Sequence, residues 1–224
     1  MKFLSQIQPV SLREQVVEQV RTAIIEGRLR PNDHITEANL TEQLGVSRTP
    51  VREALILLER EGLVVFAPNR GAFVRVFDEA DVEDIFSMRT ALENFAAELL
   101  LPHVTADDLA QLDSIINQQE DAIRRKDFNN VRSLDMAFHR YLVHNNNNQL
   151  LTRNWEEIVA QIAALLYMRA DAMPDYDEML AVRDHRAILD GYRAHNLTAV
   201  HEANRRINNR VAGECKRALA INNY

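Results

Sequence analysis

Apolar positions recur at helical spacing from Leu12 through Val16, Val17, Val20, Ala23 and Ile24, and the run stops at Gly27, which predicts a first helix. A short amphipathic helix is expected from about Thr36 to Gly45. A third follows in "VSRTPVREALILLEREG", with Ser47 or Thr49 as N-cap, Pro50 in the first turn and Gly62 at the end. The four-residue break between the second and third helices matches helix-turn-helix spacing. The pattern then changes period. In "LVVFAPNRGAFVRV" two runs rich in Val and Phe flank turn residues, which predicts a β-hairpin and therefore a winged helix.

After Phe77 the β-branched runs stop, and helical periodicity continues to the end. Six helices are expected, at about 79–101, 105–126, 128–145, 148–171, 175–195 and 197–220, with joints at Pro102, "RKD", "HNNNN", "DAMPD" and "HNLT". The expected architecture is mainly α: residues 1–77 as a winged helix-turn-helix and residues 78–224 as an all-helical bundle. Such a bundle can enclose a ligand cavity between its helices.

Charge sharpens this division. The chain of 224 residues has a net charge of -7, but residues 1–77 carry +1 and the remainder -8, so a basic patch for nucleic acid is expected only in the first part. One cysteine, Cys215, excludes an intramolecular disulfide and a Cys-based zinc module. No long uncharged apolar run and no leader pattern in "MKFLSQIQPVSLREQ" point to a cytoplasmic protein.

In the third helix Val51, Ala54, Leu55 and Leu58 form a core-facing stripe, leaving Arg48 and Arg52 one turn apart on an exposed side near the N-terminus. A recognition helix meets the major groove at that end, where an Arg fork reads guanine and hydroxyls such as Ser47 and Thr49 reach phosphates. Arg70, beside Gly71 at the hairpin tip, is placed to touch the DNA backbone or minor groove. The plainer alternative is that Arg48 and Arg52 pair with acids such as Glu53 or with solvent.

In "SLDMAFHRYL", Asp135 and His139 stand four residues apart on one helix face. A carboxylate and an imidazole so placed suit a metal ion, or they satisfy each other by a hydrogen bond. His185 falls on the inward face shared with Val182, Ile188 and Leu189. Trp155 and Tyr167 read as core.

The stretch "GRLRPNDHITEANLTEQLGVSRTPVREALILLEREGLVVFAPNRGAFV" resembles the DNA-binding region of the GntR family of bacterial transcription regulators. It departs from the usual Pro-Gly at Asn32, a residue that also tolerates a left-handed turn. "MRTALE", "DMAFHRYLV" and "DHRAILDGYRAHN" resemble the FCD-like helical domain of the FadR-type branch. The resemblance implies a homodimer that binds a short pseudo-palindromic operator and answers a small organic acid.

It further implies a divalent metal, Zn or Ni, held by Asp135, His139 and His185, with a fourth histidine at position 207, where this chain has Ile207. His201 lies about 240° around the same helix from Ile207, and Asn204 and Asn208 are poor transition-metal ligands, so none of them is expected to replace it. Without metal, His139 and His185 would donate directly to an anionic effector. Arg89 is implied as a further effector ligand, against a plain ion pair with Glu93, and Arg140 is a weaker candidate of the same kind.

Three functions follow: an effector-controlled regulator, most simply a repressor; a constitutive repressor with a decayed pocket; or a metal-dependent hydrolase fused to a DNA-binding module. No general base, glycine-rich phosphate loop or G-x-S-x-G elbow accompanies the ligand set, so an enzyme is not expected.

Overall fold

The computed structural model describes residues 11–68 and 70–222. The first ten residues, where the leader pattern was sought, and Asn69 of the predicted hairpin turn lie outside the described residues. The chain divides into two compact units between Val76 and Phe77.

The first unit opens with α1 (Leu12–Ile25), started by a reciprocal capping box between Ser11 and Glu14. Val16, Val17, Val20 and Ile24 bury its inner face, while Leu12 at the helix start is exposed. After Asn32, which takes a left-handed φ of 69°, a two-residue strand, β1 (His34–Ile35), precedes α2 (Glu37–Leu44). Gly45 closes α2 in the left-handed region, and α3 (Arg48–Arg60) follows with Ser47 at its N-cap. Thr49 therefore sits in the first turn of α3.

The predicted hairpin is present as β2 (Val64–Ala67) and β3 (Gly71–Val74), paired antiparallel with Val64 opposite Val74. β1 joins the outer edge of β3, giving the order β1-β3-β2. The stripe of Val51, Ala54, Leu55 and Leu58 is buried, and α3 packs on α1. Arg21 of α1 clamps the end of α3 through a two-pronged ion pair with Glu61, at 2.8 and 2.6 Å.

Among the described residues the second unit contains six α-helices: α4 (Glu79–Leu100), α5 (Ala106–Arg124), α6 (Phe128–His144), α7 (Gln149–Ala172), α8 (Met179–Arg193) and α9 (Leu197–Asn222). Capping boxes start α4 at Asp78 with Asp81 and α5 at Thr105 with Asp108. The long helices α4 and α9 pack together, with α6 and α7 against α4 and α8 against α5 and α9.

Gly191 sets the α8–α9 approach: a Cβ there would lie 2.7 Å from Val200 Cγ2 and 3.2 Å from its backbone nitrogen. Trp155, Phe138, Ile188, Leu189 and Tyr192 fill the interior between the helices. Unlike the sequence expectation, α8 begins at Met179 and not near 175, because residues 173–178 form an irregular connection that carries Tyr176.

Candidate functional site

In the first unit, α3 ends the turn after Gly45 with its N-terminus outward. Ser47, Arg48, Thr49 and Arg52 are exposed there, as are Arg70 and Gly71 on the hairpin. Ser47 makes no side-chain cap bond, which leaves its hydroxyl available. Neither Arg48 nor Arg52 takes an acidic partner among the described residues, in contrast to Arg21. Arg70 lies 5.3 Å above the Phe73 ring, which in turn stacks on His34 at 4.7 Å.

In the second unit, α6 and α8 bring Asp135, His139 and His185 together, with one ligand-type atom of each within 4.8 Å of the others. His185 Nε2 lies 3.2 Å from His139 Nε2 and 3.4 Å from Asp135 Oδ1. The outer nitrogens are both engaged. His139 Nδ1 donates to Glu93 Oε1 at 3.0 Å, and His185 Nδ1 donates to Gln119 Oε1 at 2.9 Å. Gln119 donates through its own amide to the Val131 carbonyl, which orients that oxygen toward His185. The Phe138 ring stacks on the His185 ring at 4.2 Å and holds its plane.

This arrangement fixes the tautomers. With both Nδ1 atoms carrying the proton, two Nε2 lone pairs and a carboxylate oxygen converge on one point, a repulsive array that a cation relieves. The donor set therefore fits a divalent metal. Burial drives the His185 value down, to about 3, despite the neighbouring Asp135 charge, so His185 is neutral as a metal ligand must be. Burial alone would raise Asp135 and Glu93. The guanidiniums of Arg89 and Arg169 work against it at Asp135, and that of Arg89 at Glu93, and both carboxyls stay below their ordinary range.

Glu93 is the hub of the next layer. It accepts from Arg89 Nε at 2.8 Å, from His139 and from Asn208 Nδ2 at 3.2 Å, all buried. The Arg89–Glu93 ion pair of the plainer reading thus exists, but it is buried and serves the site. Asn208 supports Glu93 through its Nδ2, while its buried Oδ1 has no partner among the described residues. His201 and Asn204 turn away to Asn94 on α4, and Ile207 lines the cavity.

The cavity over these groups has a volume of about 30 Å³. Arg169, Tyr176, Glu178 and Arg210 also line it. Arg169 pairs with Glu214 at 3.2 Å and faces Glu178 at 3.6 Å, while Arg210 holds Glu214, Asp184 and the Tyr176 hydroxyl. Arg169 Nε is buried without an acceptor among the described residues.

Two sequence expectations need correction. Arg140 does not reach the cavity: its position on α6 is about 100° around from His139, and its guanidinium pairs with Glu156 at 2.8 Å on the exposed side. Tyr167 is not core. It is half-buried and lines a second cavity, whereas Trp155 is fully enclosed as expected. The sequence reading also missed Gln119, Arg169, Glu178 and Arg210, which lie on other helices with no local spacing to tie them to Asp135.

Comparison with known proteins places the chain in a family. Residues 12–74 match the family model for bacterial regulatory proteins of the gntR family, and residues 84–210 match the FCD domain. The chain belongs to the GntR family, with an FCD domain. The HTH-type transcriptional repressor RspR of Escherichia coli is 30% identical over 89% of this chain and 86% of its own. An uncharacterized HTH-type regulator of Bacillus subtilis, YdhC, is 28% identical over 84% of each.

Among solved structures, E. coli McbR/YncC superposes with a TM-score of 0.78 at 25% identity, covering 90% of this chain and 95% of that one. These relatives are transcription regulators and not enzymes. This GntR protein is a transcriptional regulator. No helix among the described residues is long and apolar enough to cross a membrane.

Proposed function

We propose that this regulator is a cytoplasmic homodimeric repressor that binds a pseudo-palindromic operator through residues 1–77 and is controlled by a small organic acid in residues 78–224. The observation that carries the DNA reading is the exposed start of α3, where Arg48 and Arg52 stand a turn apart with no acidic partner among the described residues. Ser47 and Thr49 supply phosphate contacts, and Arg70 with Gly71 supplies the wing contact. RspR, a repressor by name, supports the sign of regulation.

Self-association is supported by α4, where Met88 and Phe95, two turns apart, are 50% and 44% exposed. A two-fold pairing of such a stripe would bury it.

In the second unit Asp135, His139 and His185 hold a divalent metal, Zn or Ni, which when bound supplies a Lewis-acidic attachment point for an oxygen anion. Arg89 spends Nε on Glu93, and its remaining amines are suited to the same anion. Glu93 and Gln119 fix the two imidazoles for this purpose. Genome-wide mapping of bound DNA, followed by gel shifts with and without acids suggested by the neighbouring genes, tests the reading. Loss of the shift on adding one acid supports it; operator binding indifferent to every acid tried overturns control by effector.

A further inference from the structure

The inner cavity of about 30 Å³ has room for an ion with a water or two, or for one small ligating group. Beside it lies a larger cavity of about 260 Å³. The two have a common wall, because Arg132, Tyr176 and Glu178 line both. The outer one is a groove open on one side, and its space exceeds the roughly 150 Å³ that holds benzene in a closed void, so a ring fits with part of its edge in solvent.

Its surfaces are of the kind that hold a ring. Phe128 at the start of α6, Tyr167 on α7 and Tyr176 on the 173–178 connection come from three separate elements, with Met173 and Pro174 between them. Arg132 lies 5.0 Å above the Tyr167 ring, extending a stack with its planar guanidinium. Arg132 covers that ring and Glu178 faces Arg169, which leaves Asp171 as the acid at the exposed rim of the groove.

Tyr176 links the two spaces. Its ring lies 4.1 Å from the Arg169 guanidinium and its hydroxyl accepts from Arg210 at 2.6 Å. Arg169, on the inner side, keeps its buried Nε without an acceptor among the described residues, so an oxygen anion arriving past Tyr176 meets an unspent donor.

We propose that the effector is an aromatic carboxylic acid that spans both cavities, its carboxylate inward at Arg169 and the Asp135–His139–His185 centre, its ring outward among Phe128, Tyr167 and Tyr176. This rests on the organic-acid reading above and narrows it.

Calorimetry on the full chain with zinc chloride present tests the proposal, using benzoate, phenylacetate and 3-phenylpropionate against acetate, propionate and 3-cyclohexylpropionate. At least one aromatic acid is expected to bind 10-fold or more tighter than acetate and propionate and several-fold tighter than the cyclohexyl acid. Tyr167→Ala should remove most of that advantage while leaving propionate binding unchanged. Phe128→Ala, at an exposed helix start, makes the same test should Tyr167→Ala fail to fold.

Acetate or propionate binding as tightly as the aromatic acids overturns the two-cavity proposal and leaves the acid reading standing. Equal binding of cyclohexyl and phenyl acids overturns the aromatic class. No heat with any acid overturns the acid reading and this proposal with it.

Discussion

Nε2 of His139 faces Nε2 of His185 across 3.2 Å, while the Nδ1 atoms of both rings are spent on Glu93 and Gln119. Two lone pairs held at that distance beside Asp135 are relieved by a shared cation. Chelator-stripped protein titrated with zinc or nickel should therefore release binding heat and melt at a higher temperature. The linkage amounts to about 2.7 kcal/mol when free metal is 100 times Kd. His139→Ala should show neither effect. No heat in the unsubstituted protein would leave the metal-free anion pocket as the surviving reading.

Glu93 gives a separable prediction. Glu93→Gln keeps the shape of the side chain but leaves the buried Arg89 without its counter-charge, which costs roughly 3–5 kcal/mol. It also weakens the acceptor that orients His139, so metal affinity should fall by about 10- to 100-fold. Denaturant midpoints and metal titrations read the two effects independently. A destabilisation below about 1 kcal/mol would show that the Arg89–Glu93 pair is not enclosed in the folded protein.

Acid sensitivity follows from His185. Its native value is pushed by burial from an ordinary 6.5 to about 3, so the unfolded chain takes up the proton first. The stability contributed by the neutral ring is complete above pH 6.5 and is lost as pH falls toward 3, with a slope approaching about 1.4 kcal/mol per pH unit. The depressed carboxyls of Glu93 and Asp135 add their own loss at lower pH, below the ordinary carboxylate values. In chelated protein, melting temperature should decline between pH 6.5 and 5, and His185→Asn should flatten that decline. Parallel curves for the two proteins would contradict a buried neutral histidine.

The legible and illegible parts of the molecule divide by range. The buried stripe of α3, the hairpin and the left-handed Asn32 are local, each set within a few residues of sequence, and the pattern exposes them. Strand β1 escaped because two residues are too few to alternate; pairing with β3 creates it. Asp135 and His139 are one turn apart and could be read together. Gln119 and Arg169 reach the same cavity from α5 and α7, and only the packing of those helices brings them there. Arg140 was misread because adjacency in sequence to His139 is not adjacency on a helix surface.

On the DNA side, Arg48 and Arg52 project from α3 without acidic partners among the described residues, so each is available for a base edge. Against DNA selected from a random pool by the unsubstituted protein, Arg52→Ala should weaken binding by about 1–3 kcal/mol and relax base preference. Arg70→Ala should weaken all sequences alike and lower the salt slope by about one. Helical content and oligomeric state should be unchanged in both. Full retention of sequence-selective binding by Arg52→Ala would displace α3 as the reading element.

Ile207 is buried and lines the same cavity as Asp135, His139 and His185. An imidazole at that position, projecting from α9 toward the three existing donors, would complete a four-ligand set and reduce the room left for water or a carboxylate. Ile207→His should therefore raise zinc affinity by at least 10-fold and at the same time weaken acid binding, since the acid loses its coordination position. The exchange strains a packed wall, at a cost of roughly 1–3 kcal/mol that metal binding should offset. Tighter zinc with weaker acid binding would identify Ile207 as the residue that keeps the centre open. Unchanged zinc affinity in a folded variant would mean that position 207 does not face the ion.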